Sequence, residues 1–253
     1  MNAKEVFLTY AGNFDRNDGR IELKIVHTLA VADIMDRLTE SLHLPEHLKS
    51  LAHICAMFHD IGRFEQVKQY GTFFDNISVD HAELGCEILV GENFLQELDA
   101  REQKMIITAI RNHNRFRIED GLDDETLLLC KLIRDADKCD IFRVFACENM
   151  VDTMGETEEQ VSQETVSEPV FQSIMKHQCV KRVDRHTGLD IWVSFLAFFF
   201  DLYFAESIKL LSSDQYYRKP FDRTTFCLPE TRQKVEQILT EVETYISRMT
   251  TSG

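Results

Sequence analysis

The sequence predicts an all-α protein. Apolar residues recur mostly at intervals of three and four, which is the spacing of one helical face, and few segments alternate strictly as a strand does. Glycine and proline are scarce, at 10 and 4 among 253 residues. Because these residues interrupt helices and build turns, their scarcity favours long helices over a loop-rich chain. The length suits one large domain, and we expect a single domain over residues 1–253.

Helices are predicted in order from the apolar spacing and from residues that begin or end helices. The first covers about 21–42, where an apolar stripe repeats every four residues. Pro45 opens a second helix over about 47–61, which Gly62 is expected to end. A loop follows to about residue 76, and Ser78 or Asp80 caps a third helix over about 81–90. Further helices are predicted at about 100–112, 125–149, 158–178, 189–211 and 230–249, with an acidic segment at 155–168 that is either a loop or a helix start.

Charge and cysteine usage narrow the partners and the compartment. The formal net charge is −15, so the chain is a poor electrostatic match for nucleic acid or for an anionic membrane, and we expect a small-molecule partner. The longest apolar run, 191–200, is too short to cross a bilayer. The seven cysteines include no C-x-x-C pair, and the N-terminus has no long apolar signal segment. These features predict free thiols and a cytoplasmic location.

Four of the nine histidines stand within or at the ends of apolar helical segments, close to charged side chains. A lone histidine in such a place is more often a hydrogen-bonded core residue than a metal ligand. The adjacent His59 and Asp60 are harder to explain in that way, because burying an imidazole beside a carboxylate is costly unless a cation compensates it. The residues that stand out for a candidate metal site are His27, His59, Asp60, His81 and His113, together with Asp137 in the string Asp-Ala-Asp-Lys. The remaining histidines, His43, His47, His53, His177 and His186, fit no ligand spacing.

The order His, His-Asp-Ile-Gly-Arg, Asp-His, His-Asn and Asp-Ala-Asp-Lys resembles the HD-domain superfamily of metal-dependent phosphohydrolases. The resemblance covers about 21–149 and implies an HD-type helical bundle, to which a C-terminal helical extension at about 156–250 is added. It implies two divalent transition-metal ions, with Asp60 bridging them. The first ion would be bound by His27, His59, Asp60 and Asp137, and the second by Asp60, His81 and His113. Imidazole and carboxylate ligands suit Fe, Mn, Co, Ni or Zn equally well.

The resemblance also implies the reaction. A hydroxide activated by the metals would attack a phosphoester or phosphoanhydride of a small substrate, for which a nucleotide is the expected class. Asp60 and Arg63 are the candidate catalytic residues. The candidate substrate-binding residues are Arg63, Arg111, Arg115 and Lys138, because their cationic side chains suit a phosphate. Asp80 and Asp135 are either ligand-orienting carboxylates or ordinary helix caps and solvated groups.

Other interpretations stay open at this point. Some HD-type proteins use the same ligand order as di-iron oxygenases, and a non-catalytic regulatory domain is a further alternative, although no ligand position is degraded. Among hydrolases, the Gly-Tyr-Pro motif of the cyclic-dinucleotide phosphodiesterases is missing from the sequence. The string after His-Asp differs from that of the stringent-response hydrolases, whereas dinucleoside tetraphosphate hydrolases share the ligand order. The oligomeric state is not predicted.

Overall fold

A computed structural model describes residues 1–148, 151 and 156–251. Within these residues all regular secondary structure is helical, which confirms the predicted all-α class. The chain divides into two compact units, Met1–Asp140 and Ile141–Gly253. The single domain, with its metal-binding core over about 21–149 and its extension over about 156–250, stays a prediction.

The first unit is built around its third helix. α3 packs against α1, α2 and α6, while α5 packs against α4 and α6. Because α3 has neighbours on three sides, it is apolar around most of its circumference, and every residue from Ile54 to Phe58 is buried. His59, the residue after Phe58, therefore comes directly after a fully buried stretch of α3. The helices are α1 (Ala3–Ala11), α2 (Gly19–Ser41), α3 (Glu46–Phe58), α4 (Gly62–Tyr70), α5 (His81–Gly91), α6 (Ala100–His113) and α7 (Asp124–Cys147), and the division between the units falls within α7.

Short polar side chains fix where several of these helices begin. The Asp18 side chain accepts a hydrogen bond from the backbone of Arg20 at the start of α2. Asp99 and Glu102 form a capping box at the start of α6. Asp80 accepts hydrogen bonds from two backbone amides in the first turn of α5, as one of the two predicted caps for that helix. This cap makes His81 the first residue of α5.

The segment after α3 differs from the prediction. Gly62 does not end the second predicted helix, because that helix ends at Phe58 and Gly62 is the first residue of α4. The predicted loop begins only after Tyr70, where Gly71 adopts a left-handed conformation with φ of 66°. The sequence of α4 is mostly polar, but Phe64 and Val67 are spaced three residues apart and both are buried. One such pair was too weak a periodic signal to predict a helix.

Gly62 allows a close approach between two helices. A Cβ atom at this position would lie 2.1 Å from the carbonyl oxygen of His81 and 2.7 Å from the backbone nitrogen of Gly85. Both atoms belong to the backbone of α5, so no side-chain rotation would relieve the clash. The absence of a side chain at Gly62 therefore sets the distance between α4 and the first turn of α5, where His81 lies.

The second unit is organised around its last helix. α13 packs against α9, α10 and α11. Phe145, Trp192 and Phe221 form a separate buried aromatic group within the same unit. Its helices are α8 (Glu158–Ser162), α9 (Glu168–Met175), α10 (Gly188–Leu196), α11 (Ala205–Asp214), α12 (Lys219–Arg223) and α13 (Pro229–Thr251). The 3-10 segments of this unit are Arg182–Asp184 and Ala197–Asp201.

Two of the predicted long helices in this unit are interrupted. The helix expected at about 158–178 is split into α8 and α9, because Pro169 favours a new helix start and disfavours a continuous helix. The helix expected at about 189–211 is split by the 3-10 segment Ala197–Asp201. The predicted end of the preceding helix at Asn149 and the start of the acidic segment at Gly155 lie outside the described residues. Among the described helices, none has both the length and the apolar character needed to cross a membrane.

Replacing Gly62 with alanine tests the close approach between α4 and α5. We expect Gly62→Ala to lower the free energy of unfolding by about 1–3 kcal/mol, the usual cost of forcing extra atoms into a packed region. Gly91→Ala is the matched control, because Gly91 ends α5 and an added Cβ there would meet no atom within 4 Å. Chemical denaturation of both variants measures the difference. Equal stability of the two variants would contradict the proposed constraint.

Candidate metal centre

Two pairs of imidazoles face the two oxygens of one carboxylate. Asp60 Oδ1 lies 3.3 Å from His81 Nε2 and 3.7 Å from His113 Nε2. Asp60 Oδ2 lies 3.7 Å from both His27 Nε2 and His59 Nε2. Within each pair the Nε2 atoms are close together, at 3.3 Å for His27 and His59 and at 3.1 Å for His81 and His113. Asp60 therefore joins two three-residue groups, and in each group the ligand atoms lie within 4.8 Å of one another.

Asp137 extends the first of these groups. Its Oδ1 atom lies 3.1 Å from His27 Nε2 and 3.7 Å from His59 Nε2. The side chain comes from the middle of α7, whereas His27 comes from the middle of α2. The structure thus brings all six predicted ligands together, from segments that are up to 110 residues apart in the chain.

The second ring nitrogen of each histidine is also hydrogen-bonded, and the partner follows from the position in the helix. His59 lies just beyond the end of α3, and its Nδ1 is 2.8 Å from the carbonyl oxygen of Ala56. His113 is the last residue of α6, and its Nδ1 is 2.7 Å from the carbonyl oxygen of Ile110. Carbonyl groups in the last turn of a helix have no partner within the helix, so they are free to accept these bonds.

The other two histidines depend on carboxylates. His27 lies in the middle of α2, where the backbone carbonyls are used by the helix, and His81 is the first residue of α5, where no preceding helical turn offers a carbonyl. Nδ1 of His27 lies 2.7 Å from Asp140 Oδ2, and Nδ1 of His81 lies 2.8 Å from Asp75 Oδ2. Each imidazole pair therefore has one ring supported by a backbone carbonyl and one supported by a carboxylate.

This donor set suits a metal cation. All four Nδ1 atoms face oxygen acceptors, which favours the tautomer with hydrogen on Nδ1 and leaves a lone pair on Nε2. The Nε2 lone pairs of each pair then face one another across 3.1–3.3 Å. Two acceptors at that separation repel each other unless a proton or a metal cation lies between them. The four histidines and Asp60 are all buried, so water does not supply this compensation freely.

Electrostatic interactions keep the carboxylates ionised. Burial alone raises the pKa of Asp60, but the ammonium of Lys24 and the imidazole of His59 outweigh it and hold that pKa well below its usual range. Burial and the Arg63 guanidinium lower the pKa of His81 to about 4. Burial and Lys24 also act to lower the pKa of His27, yet its hydrogen bonds to carboxylates keep that pKa above the ordinary value. The centre therefore combines negative carboxylates with imidazoles and attracts positive charge.

The family comparison agrees with this geometry. The family model described as HD domain matches residues 25–141, a segment that contains all six predicted ligands. Residues 25–141 form an HD domain. No curated protein and no solved structure matches the chain significantly. The superfamily predicted from the sequence is therefore confirmed, and members of this superfamily are generally metal-dependent phosphohydrolases.

Arg63 is held at the edge of the HD-domain centre. Its Nη1 donates to Asp75 Oδ1 at 2.9 Å and to the carbonyl oxygen of Phe73 at 2.6 Å. Its Nε lies 3.5 Å from Asp60 Oδ1 and is buried without a hydrogen-bond partner. The guanidinium is therefore fixed by the loop after α4, while its Nε stays without a hydrogen-bond partner close to the carboxylate of Asp60.

The other predicted substrate-binding side chains are less directly placed at the centre. Arg111 and Arg115 both pair with Glu83, at 2.8 Å and 3.3 Å respectively, and each is partly exposed. Arg115 also pairs with Glu119. Lys138 is buried beside Asp137 in α7, so little of its surface is accessible to a substrate.

Sequence analysis missed three charged residues of the HD-domain centre. Lys24 precedes His27 by three residues and Asp140 follows Asp137 by three, so helical spacing alone would have placed both on ligand faces. Asp75 had no such signal, because it lies in the segment between α4 and α5. Asp80 was the more obvious candidate for orienting His81, but its side chain caps α5 and accepts from Asn114 instead. Asp135 is buried within α7.

Removing one orienting carboxylate tests the support of the imidazoles. We expect Asp75→Asn to weaken metal binding by about 10- to 100-fold, the usual effect of losing a partner behind a metal ligand. Asp36→Asn is a matched control, because Asp36 makes the same 2.8 Å contact to Nδ1 of His53 away from the centre. Titration of the chelator-treated proteins with Mn²⁺ measures both affinities. Equal losses in the two variants would contradict a specific role for Asp75.

Proposed function

We propose that the HD domain is a metal-dependent phosphohydrolase that acts on a small phosphorylated molecule, with nucleotides as the substrate class. The observation that carries this proposal is the sharing of one buried carboxylate, Asp60, by two imidazole pairs. A single structural histidine needs no such arrangement. We assign the first metal to His27, His59, Asp60 and Asp137, and the second to Asp60, His81 and His113.

A pair of divalent cations supplies, when bound, a water nucleophile of lowered pKa and positive charge for the phosphoryl oxygens. The residues of the chain have separate roles in this reaction. Asp60 brings one oxygen to each imidazole pair and so fixes the positions of the two groups relative to each other. The acceptors behind the four Nδ1 atoms fix the ring orientations, so little reorganisation is needed before reaction.

The basic residues around the centre are proposed to bind the phosphate. Arg63 has a buried Nε with no hydrogen-bond partner beside Asp60, so an anionic oxygen would satisfy that donor. Arg111 and Arg115 would have to exchange Glu83 for the substrate, which makes them suited to a group at the periphery. Lys138 is the least accessible of the four, and its proposed contribution to phosphate binding is the electrostatic attraction of its positive charge.

The net charge and the cysteines support the expected partners and compartment. An acidic chain with a charge of −15 favours a small substrate over nucleic acid, because phosphate polymers would be repelled outside the centre. Cys55, Cys86, Cys130 and Cys139 are buried as free thiols, which fits the predicted cytoplasmic location.

Loss of the bridging carboxylate should abolish the activity. We expect the wild-type protein, loaded with Mn²⁺ or Fe²⁺, to release phosphate from nucleotides, and Asp60→Asn to reduce kcat/KM by about 1000-fold or more. Asp36→Asn serves as the control for a carboxylate outside the centre. Phosphate release and oxygen consumption are measured side by side. Oxygen consumption without phosphate release would replace the hydrolase proposal with the di-iron oxygenase alternative.

Metal content distinguishes a dinuclear from a mononuclear centre. We expect elemental analysis to find about two transition-metal ions per wild-type chain and about one in His81→Ala, because the second group loses one of its two imidazoles. The protein should be purified without chelators. One ion per chain in both proteins would contradict the dinuclear assignment and would leave His81 and His113 to contact the substrate.

A further inference from the structure

The ammonium group of Lys24 lies beside the carboxylate of Asp60. Lys24 is neither one of the six proposed metal ligands nor one of the proposed phosphate-binding residues. We infer that Lys24 is a substrate-binding residue that holds a phosphoryl oxygen next to the metal centre. This inference rests on the proposed phosphohydrolase function. The inference assigns to Lys24 the binding of an anion next to the first imidazole pair, His27 and His59.

Lys24 is placed by the same helix that carries His27. The two residues are three apart in α2 and therefore lie on the same face. Lys24 Nζ donates to Asp60 Oδ2 at 2.7 Å. The Lys24 side chain is 17% exposed, whereas that of Asp60 is 4% exposed. The ammonium thus lies between the buried ligands and the solvent, where a substrate arrives.

An aromatic ring helps to fix the position of this ammonium. Lys24 Nζ lies 5.3 Å from the centre of the Phe73 ring, and the Arg63 guanidinium carbon lies 5.8 Å from the same ring. Arg63 also donates to the carbonyl oxygen of Phe73, which holds the aromatic residue in place. Two cationic groups are therefore arranged around one ring at the edge of the centre, and both lie close to Asp60.

The shared oxygen of Asp60 explains why Lys24 would contact an anion. Asp60 Oδ2 faces His27 and His59 as well as Lys24. A divalent cation held by those two imidazoles would share this oxygen and repel the ammonium. A phosphoryl oxygen close to both positive charges would relieve that repulsion, because it is negative and has several lone pairs.

Lys24 differs from the other basic candidates because Asp60 is the carboxylate that accepts its hydrogen bond. Arg63 approaches Asp60 at 3.5 Å but donates to Asp75, and Arg111 and Arg115 pair with Glu83, so each of these three has a carboxylate partner outside the six proposed ligands. The carboxylate that Lys24 contacts is itself the proposed bridging ligand. Substrate binding at Lys24 is thereby coupled to occupation of the first imidazole pair.

The test compares three variants, with inorganic phosphate as the probe. Lys24→Met removes the charge and keeps the length of the side chain, while Lys24→Arg keeps the charge. Lys68→Met is the matched control, because Lys68 also lies 5.3 Å from a phenylalanine ring and pairs with a carboxylate, but away from the centre. Metal content and thermal stability are measured first, and calorimetry of the Mn²⁺-loaded proteins then gives the phosphate affinity.

We expect Lys24→Met to retain its metal content and to bind phosphate about 10- to 100-fold more weakly, the effect of losing one hydrogen bond to a charged group. Lys24→Arg should fall between this variant and the wild type, and Lys68→Met should bind as the wild type does. In nucleotide hydrolysis, Lys24→Met should raise KM more than it lowers kcat. If Lys24→Met does not fold, Lys24→Gln takes its place in the same comparison.

Two results would overturn the inference and leave the proposed function standing. In the first, the wild type and Lys24→Met bind phosphate equally well at equal metal content. In the second, Lys24→Met loses metal, which would mean that Lys24 holds Asp60 in position instead. A fully metal-loaded wild type that neither binds phosphate nor hydrolyses nucleotides would overturn both the proposed function and this inference.

Discussion

The carboxylate of Asp60 is shared between two buried imidazole pairs, and the local structure of the first unit is arranged around this sharing. Its two oxygens face different pairs, so the side chain cannot rotate without breaking contacts on both sides. Lys24 and Arg63 lie close to the same carboxylate and help to keep it ionised despite its burial. A buried charge of this kind is stable only where opposite charge is fixed around it, which constrains every helix that supplies a neighbour.

Helix ends supply much of this arrangement. His59 and His113 stand at helix C-termini, where free carbonyl groups accept from Nδ1, while His81 stands at a helix start fixed by the Asp80 cap. Where the helix offers no free carbonyl, a carboxylate from elsewhere in the first unit takes its place, as Asp140 and Asp75 do. The position of each histidine in its helix therefore decides whether a backbone carbonyl or a carboxylate orients the imidazole ring.

The charge next to the candidate metal centre differs in sign from the net charge of the chain. The chain is acidic overall, yet cationic side chains gather next to the imidazoles, and each of those with a described contact already has an acidic neighbour. In the proposed reaction, a phosphate bound by Lys24, Arg111 or Arg115 would have to replace an existing ion pair, whereas the Nε of Arg63 has no hydrogen-bond partner to displace.

The sequence by itself determined the all-α class and the superfamily, because helical periodicity and the adjacent His59 and Asp60 are local signals. The resemblance to the superfamily also supplied the six candidate ligands, which stay a prediction. Local signals did not predict α4, and they did not predict the breaks within two helices of the second unit. Helical spacing could have placed Lys24 and Asp140 on the ligand faces, but the position of Asp75 was decided only by tertiary structure. Asp75 lies beside His81 because Arg63 and Gln66 hold the intervening loop through hydrogen bonds to its carboxylate. Such contacts join residues from separate elements, and no spacing in the chain encodes the distance between them.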